Sequence, residues 1–253
     1  IITAATMKLY PLPAARLIAW AAVPSRQAAV DLLGLAHQHL GAGLTGFEVM
    51  GRFALSLVAK HMPQLRVPFM EREDVSYCVL LENADSESEA HARARFEALL
   101  ETAFEDGCVQ DAVVAESLAQ AHGLWHIRES IPLAQAEEGL NIKHDISVPI
   151  SRIPAFCEYT DALLAREIPG VRLVNFGHLG DGNLHYNVQT PEGSDARAFL
   201  RDQETHVNHL VYEAVARFGG AFSAEHGVGG LKVAELEKYQ QPVALGMMRA
   251  IKQ

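Results

Sequence analysis

Two strand-like stretches, Arg172 to Phe176 and Asn183 to Gln189, are separated only by Gly177-His178-Leu179-Gly180-Asp181-Gly182. A parallel neighbour would need a crossover of a dozen or more residues, so this pair must be an antiparallel hairpin. The constraint is strong because the rest of the chain alternates apolar strands with amphipathic helices, a pattern that alone reads as a parallel α/β sheet. The spacing predicts a strand at Arg16 to Val23, then a helix to about Leu40 capped by Ser25. An extended piece at Leu44 to Val49 precedes a helix over about Phe53 to His61, and Ser76 to Glu82 reads as a buried strand. Ser86 or Ser88 opens a helix to about Glu105, Val109 to Ala115 is a strand, and Ser117 opens a long helix to about Glu138. Ile142 to Val148 alternates around Asp145 and Ser147; helices follow at Arg152 to Glu167, at Asp195 to about Phe218 and from Leu231. The glycine pattern of a dinucleotide fold is absent from the first strand–helix turn. The expected class is α+β, a largely antiparallel sheet with helices packed on one face.

The 253 residues, 49% hydrophobic and 21% charged, have the make-up of a folded globular chain with a sizeable core. Thirty-one acids against 21 bases leave a net charge of −10, which speaks against nucleic acid as a partner. A few local cations could still hold an anionic substrate. Cys78, Cys108 and Cys157 are too few and too scattered for a disulfide framework or a thiolate zinc site. Reduced thiols and a cytoplasmic location are expected, with peripheral membrane association as the alternative. No stretch approaches the roughly 18 to 20 apolar residues of a membrane span. The chain opens on Ile1-Ile2-Thr3-Ala4-Ala5-Thr6, which reads like the middle of a strand, and stops inside a helical pattern ending at Gln253. It is therefore expected to be a piece of a longer protein.

Three constellations carry chemistry. His178 and His185 flank Gly180-Asp181-Gly182, so a hairpin brings both imidazoles to one end, where they can converge on a zinc, iron or manganese ion. The competing reading is a hairpin with solvent-facing or backbone-satisfied histidines. Ser223-Ala224-Glu225-His226-Gly227-Val228-Gly229-Gly230 adds a carboxylate and an imidazole in a glycine-rich loop. Glu225 could complete a two-histidine, one-carboxylate site, leaving His226 as a general base. Against that stands a loop with a surface histidine and a helix-capping glutamate. Arg128 and Lys143 could grip a carboxylate, or form surface salt bridges with Glu129 or Asp145.

Together these residues resemble the C-terminal part of the FAD-linked oxidases of the vanillyl-alcohol oxidase type. The branch concerned holds D-lactate dehydrogenase, D-2-hydroxyglutarate dehydrogenase and the glycolate oxidase flavoprotein subunit. Gly177 to His185 matches that branch's H-x-G-D-G-N-x-H signature without a gap, and Ala224 to Gly229 matches E-H-G-[IV]-G at a similar distance downstream. Trp125 to Pro149 follows the R-E…K-x-D-x-S-x-P run, and Ile1 to Pro11 looks like the strand that closes the flavin-binding domain.

The resemblance implies a division into residues 1–13 as a remnant of the flavin domain, 14–218 as a ferredoxin-like substrate domain, and 219–253 as a truncated segment carrying the Glu-His motif. It implies that His178, His185 and Glu225 hold a divalent metal, zinc first. His226 would take the hydroxyl proton of a D-2-hydroxyacid as hydride passes from C2 to flavin. Asn187 would touch substrate, and Arg128 with Lys143 would bind a second carboxylate. Four residues beyond Arg128, where dicarboxylate-specific members carry threonine, this chain has Pro132, which has no hydroxyl and is expected to bend its helix. FAD would sit mainly in an absent N-terminal domain, leaving the isolated chain flavin-free and inactive. The electron acceptor is unspecified and a homodimer is possible. Competing readings are a hydrolase in which Asp181 or His226 is the base, and a non-catalytic ferredoxin-like module.

Overall fold

Three serines turn the chain into helix. Ser25, Ser88 and Ser117 each accept the N–H of the residue three further on, at 3.1, 3.1 and 3.3 Å, satisfying a donor that the first helical turn leaves free. They begin α1 (Arg26–Leu40), α3 (Glu89–Glu105) and α4 (Leu118–Glu138) in a computed structural model that describes residues 3–9 and 11–252. Between them lie β1 (Ala15–Val23), β2 (Leu44–Gly51), α2 (Arg52–His61), β3 (Tyr77–Asp85) and β4 (Asp111–Val114). The remainder is β5 (Asn141–Ile142), β6 (Asp145–Ser147), α5 (Ile153–Glu167), β7 (Arg172–His178), β8 (Asn183–Gln189), α6 (Ala196–Arg217), α7 (Val233–Tyr239) and α8 (Pro242–Ile251).

All eight strands join one sheet in the order β4-β1-β3-β2-β7-β8-β5, with β6 also on β8, and every pairing is antiparallel. The first four, with α1 and α3 as connections, make the βαββαβ arrangement of ferredoxin-like folds. The β7–β8 hairpin extends this sheet. Its junction with β2 is short: three residue pairs, among them Glu48 with His178 and Met50 with Phe176.

Helices cover both faces, not one as expected. Along β1, Leu17, Ala19, Ala21 and Val23 enter the core under α1, α3, α5 and α6. Ile18, Trp20 and Ala22 enter a second core under α2 and α4. The reason is in the sequence: Leu17 to Val23 is an unbroken apolar run rather than an alternating one, and a strand of that kind is buried on both sides. Residues 3–9 correct a second expectation. They are exposed and carry no regular structure; Ile1, Ile2, Tyr10 and Gln253 lie outside the described residues. The long helix α4 runs on through Pro132. Its end is tied down by Glu138, which binds Lys60, His61 and Arg172 at 2.6, 2.7 and 2.6 Å and joins α2, α4 and β7.

Candidate functional site

Cross-strand register assembles the site on the sheet face under α4. Met50, Phe176, His185 and Asp145 are successive partners across β2, β7, β8 and β6, so their side chains share a face. Glu48 and His178 form a second row beside them. The hairpin turn closes on Gly182 at φ 69°, a left-handed conformation that glycine adopts without strain. A loop running from the end of α6 then reaches the same place. Gly220 lets it pass so close to β6 that a Cβ there would lie 2.2 Å from the Ser147 carbonyl oxygen, and a Ser147–Ala221 backbone bridge fixes the approach.

Trp125, Arg128, Glu129, Pro132 and Gln135, one face of α4, roof a cavity of about 390 Å³. Every site residue picked out in the sequence lines it: Arg128, Lys143, His178, His185, Asn187, Glu225 and His226. Asp181 does not; it lines a neighbouring depression with His37 and Glu48 that also meets His178.

The pairings differ in part from those expected. His178 donates or accepts at Nδ1 with Glu48 Oε1, 2.7 Å away, and its pKa is raised by that hydrogen bond. With the proton on Nδ1, the Nε2 lone pair faces Glu225 Oε2 at 3.7 Å. His185 Nε2 lies 3.5 Å from Glu225 Oε1 and His226 Nε2 3.6 Å from the same oxygen. Burial, and then the charge of Arg128, push His185 down to about 4, so it is a neutral imidazole at neutral pH. Among the described residues the group able to offer one ligand atom each within 4.8 Å is Asp145, His185, Glu225 and His226. It keeps His185 and Glu225 of the expected trio, adds Asp145 and His226, and omits His178.

Arg128 is no surface salt bridge to Glu129. It is 7% exposed, lies over the Phe176 ring, and gives Nε and Nη2 to Glu48 Oε2, both at 2.9 Å. Its Nη1 has no protein partner among the described residues. Lys143 is exposed at the mouth and is not paired with Asp145, which is buried. Asn187 is engaged on both sides: its oxygen accepts the His144 N–H at 3.0 Å and its amide donates to Gln135 at 2.9 Å. Burial lowers His144 to about 4.

Two residues escaped the sequence reading. Glu48 joins the arginine to His178; its only sequence signal is an acid inside the apolar stretch Phe47-Glu48-Val49. Asp145 stood in the sequence as a partner for Lys143 and a member of the K-x-D-x-S-x-P run, with no role assigned. It proves to accept backbone N–H groups from the Glu225-His226 loop. Burial alone would raise its pKa, but the His226 N–H, the Asn183 amide and the Glu225 N–H outweigh that and hold it below the ordinary carboxylate value.

Comparison with known proteins agrees with this picture. A family profile described as FAD linked oxidases, C-terminal domain, matches residues 12–253. A D-2-hydroxyglutarate dehydrogenase of Xanthomonas citri is 37% identical over all of this chain and 51% of its own length. The mitochondrial D-2-hydroxyglutarate dehydrogenase of Rattus norvegicus is 31% identical over 100% of this chain and 45% of its own. A putative mitochondrial D-lactate dehydrogenase of Schizosaccharomyces pombe is 31% identical over 95% and 45%. The chain thus spans about half the length of these curated relatives. Among solved structures, p-cresol methylhydroxylase with substrate bound superposes with a TM-score of 0.66 at 9% identity, covering 96% of this chain and 50% of that one. At that identity the likeness concerns the fold.

Proposed function

Because this chain belongs to the FAD-linked oxidases as their C-terminal domain, we propose that it is the substrate- and metal-binding portion of a dehydrogenase that oxidises a D-2-hydroxyacid to the 2-oxoacid. The observation that carries the reading is the convergence of His178, His185, Glu225 and His226 with Arg128 and Lys143 on one cavity. On this reading residues 14–218 bind substrate, 219–253 deliver Glu225 and His226, and 1–13 border the flavin domain.

The donor set suits a divalent ion. His185 is a neutral imidazole, Glu225 adds a carboxylate, and Glu48 supports His178 through Nδ1, the familiar carboxylate–histidine support of a metal site. Mixed imidazole and carboxylate donors fit zinc, with iron and manganese next. Such an ion, when bound, would polarise the substrate's hydroxyl and carboxylate oxygens and lower the hydroxyl pKa. Bound FAD supplies the acceptor for the C2 hydride. Its binding is proposed to lie mainly outside this chain, since the β1–α1 turn is Pro24-Ser25, without glycines to admit a pyrophosphate.

The chain's own residues do the rest. His226, 63% exposed and beside Glu225, is placed to take the hydroxyl proton and pass it to solvent. Arg128 offers Nη1 and Lys143 its ammonium to the far carboxylate of a dicarboxylic substrate. Asn187 sits on the floor with its amide already committed, so its part is to shape the cavity. Three buried, unpaired cysteines support a reducing compartment such as the cytoplasm, although several relatives are mitochondrial by name. Among the described residues no helix is long and apolar enough to cross a membrane.

The test is steady-state turnover by the full-length protein on D-lactate, D-malate, D-2-hydroxyglutarate and glycolate with an artificial acceptor. Preference for the two dicarboxylates is expected. Equal or better rates on lactate or glycolate would refute the carboxylate role of Arg128 and Lys143.

A further inference from the structure

We propose that Asp145 is the positioning residue of this site. Its buried carboxylate is the anchor around which the 223–230 loop folds, and it sets where Glu225 and His226 stand without itself holding an ion or moving a proton. The inference rests on the reading that Glu225 and His226 do the site's work, and it answers how they are held.

Packing cannot hold them. The Glu225 and His226 side chains are 47% and 63% exposed, so their placement depends on the backbone beneath. Asp145 Oδ2 accepts the N–H groups of Glu225 and His226 at 2.9 and 2.8 Å, and shares that of Ala224 with the Asp145 backbone carbonyl, both at 3.2 Å. Three successive N–H groups converging on one oxygen form an anion-binding nest, here filled from within the protein. The other oxygen, Oδ1, accepts from the Asn183 amide at 2.9 Å, and that amide also donates to the Ile146 carbonyl. The carboxylate is thereby locked against β8 and cannot rotate. Each carboxylate oxygen has about two lone-pair sites; Oδ2, addressed by three donors, is filled by the loop, while Oδ1 takes one. To ligate an ion with Oδ2, Asp145 would have to release the loop. Asp145 is also the cross-strand partner of His185, so one side chain registers the loop against the strand that carries the neighbouring imidazole.

Amide hydrogen exchange on the full-length, metal-free protein tests this. In the wild type the Glu225 and His226 amides should exchange at least about tenfold more slowly than those of Gly229 and Gly230 in the same loop. Equal rates overturn the proposal with no variant needed. Asp145→Asn keeps the shape but sets an NH₂ group against either the loop N–H groups or Asn183. Exchange at residues 225 and 226 should then rise at least about tenfold while β6 and β8 change less than about twofold. No change, or an equal rise throughout the sheet, overturns it. A cobalt(II) titration supplies a second readout. The anchor role predicts weaker binding with an unchanged spectrum at saturation; a changed spectrum with the loop still protected would make Asp145 a ligand and refute it. His185→Ala and Glu225→Gln separate the two levels. If both keep full cobalt affinity, the metal reading fails, while the exchange result stands or falls by itself.

Discussion

Replacing Glu48 by glutamine tests the arrangement at a buried point. Glu48 is 4% exposed, Arg128 is 7% exposed, and the two meet through Nε and Nη2, both 2.9 Å from Oε2. Glutamine keeps the volume and can still accept from Arg128, yet it leaves the guanidinium charge without a counter-charge. Removing one partner of a buried pair costs about 3 to 5 kcal/mol, and the retained hydrogen bond argues for about 3. For a chain of this size that lowers Tm by roughly 6 to 12 °C. The other end of the side chain makes the substitution more informative. With its oxygen drawn to Arg128, the introduced amide must donate to His178 Nδ1, which moves the imidazole proton to Nε2 and withdraws the lone pair from the site. Loss of such a supporting carboxylate typically weakens metal binding by about 10- to 100-fold. The assays are thermal unfolding of Glu48→Gln, Arg128→Gln and the double variant, with metal titration of each. The double variant should be more stable than the sum of the singles predicts. Strict additivity, or a loss below about 1 kcal/mol for Glu48→Gln, would refute the claim that the pair is both buried and mutually dependent.

Other outcomes follow from the same geometry. His144 drops from 6.5 to about 4 on burial, as does His185. Their folded values lie below the unfolded one, so the stability they contribute is complete above pH 6.5 and drains away towards pH 4. For His144 alone the full span is about 3 kcal/mol, and urea unfolding that is flat between pH 7 and pH 4.5 would contradict it. Glu138, held at about 2 because hydrogen bonds from Lys60, His61 and Arg172 overcome its burial, adds a second loss as pH falls from 4.5 towards 2. Glu138→Gln should flatten that lower limb, which acid titration of unfolding would reveal. Gly220→Ala drives a Cβ against the Ser147 carbonyl and should displace the Glu225-His226 loop; turnover falling at least about tenfold while Tm drops by only a few degrees is expected, and wild-type activity would contradict it.

Much of this was legible because it is local. Ser25, Ser88 and Ser117 announce three helix starts, and the glycines around Asp181 announce the hairpin that presents His178 and His185. What stayed hidden is long-range pairing. Arg128 finds Glu48 eighty residues away rather than the adjacent acid Glu129. Asp145 finds its three N–H donors about eighty residues downstream, and main-chain donors have no letter in a sequence. The two-sided sheet was visible in the apolar run Leu17 to Val23 of β1, but the antiparallel hairpin suggested helices on a single face. Residues 3–9 have strand composition and no regular structure, because composition alone does not make a ladder.

The join between β2 and β7 is only three residue pairs long, and one of them is Glu48 with His178. The ferredoxin-like half and the hairpin half are each knit by many more. The cavity therefore sits on a seam, with Glu48 and Arg128 on one bank and His185, Asp145 and the glycine loop on the other. Anything bound there acts as a clasp: it must be let go before the halves can part, so occupancy and cohesion become one measurement.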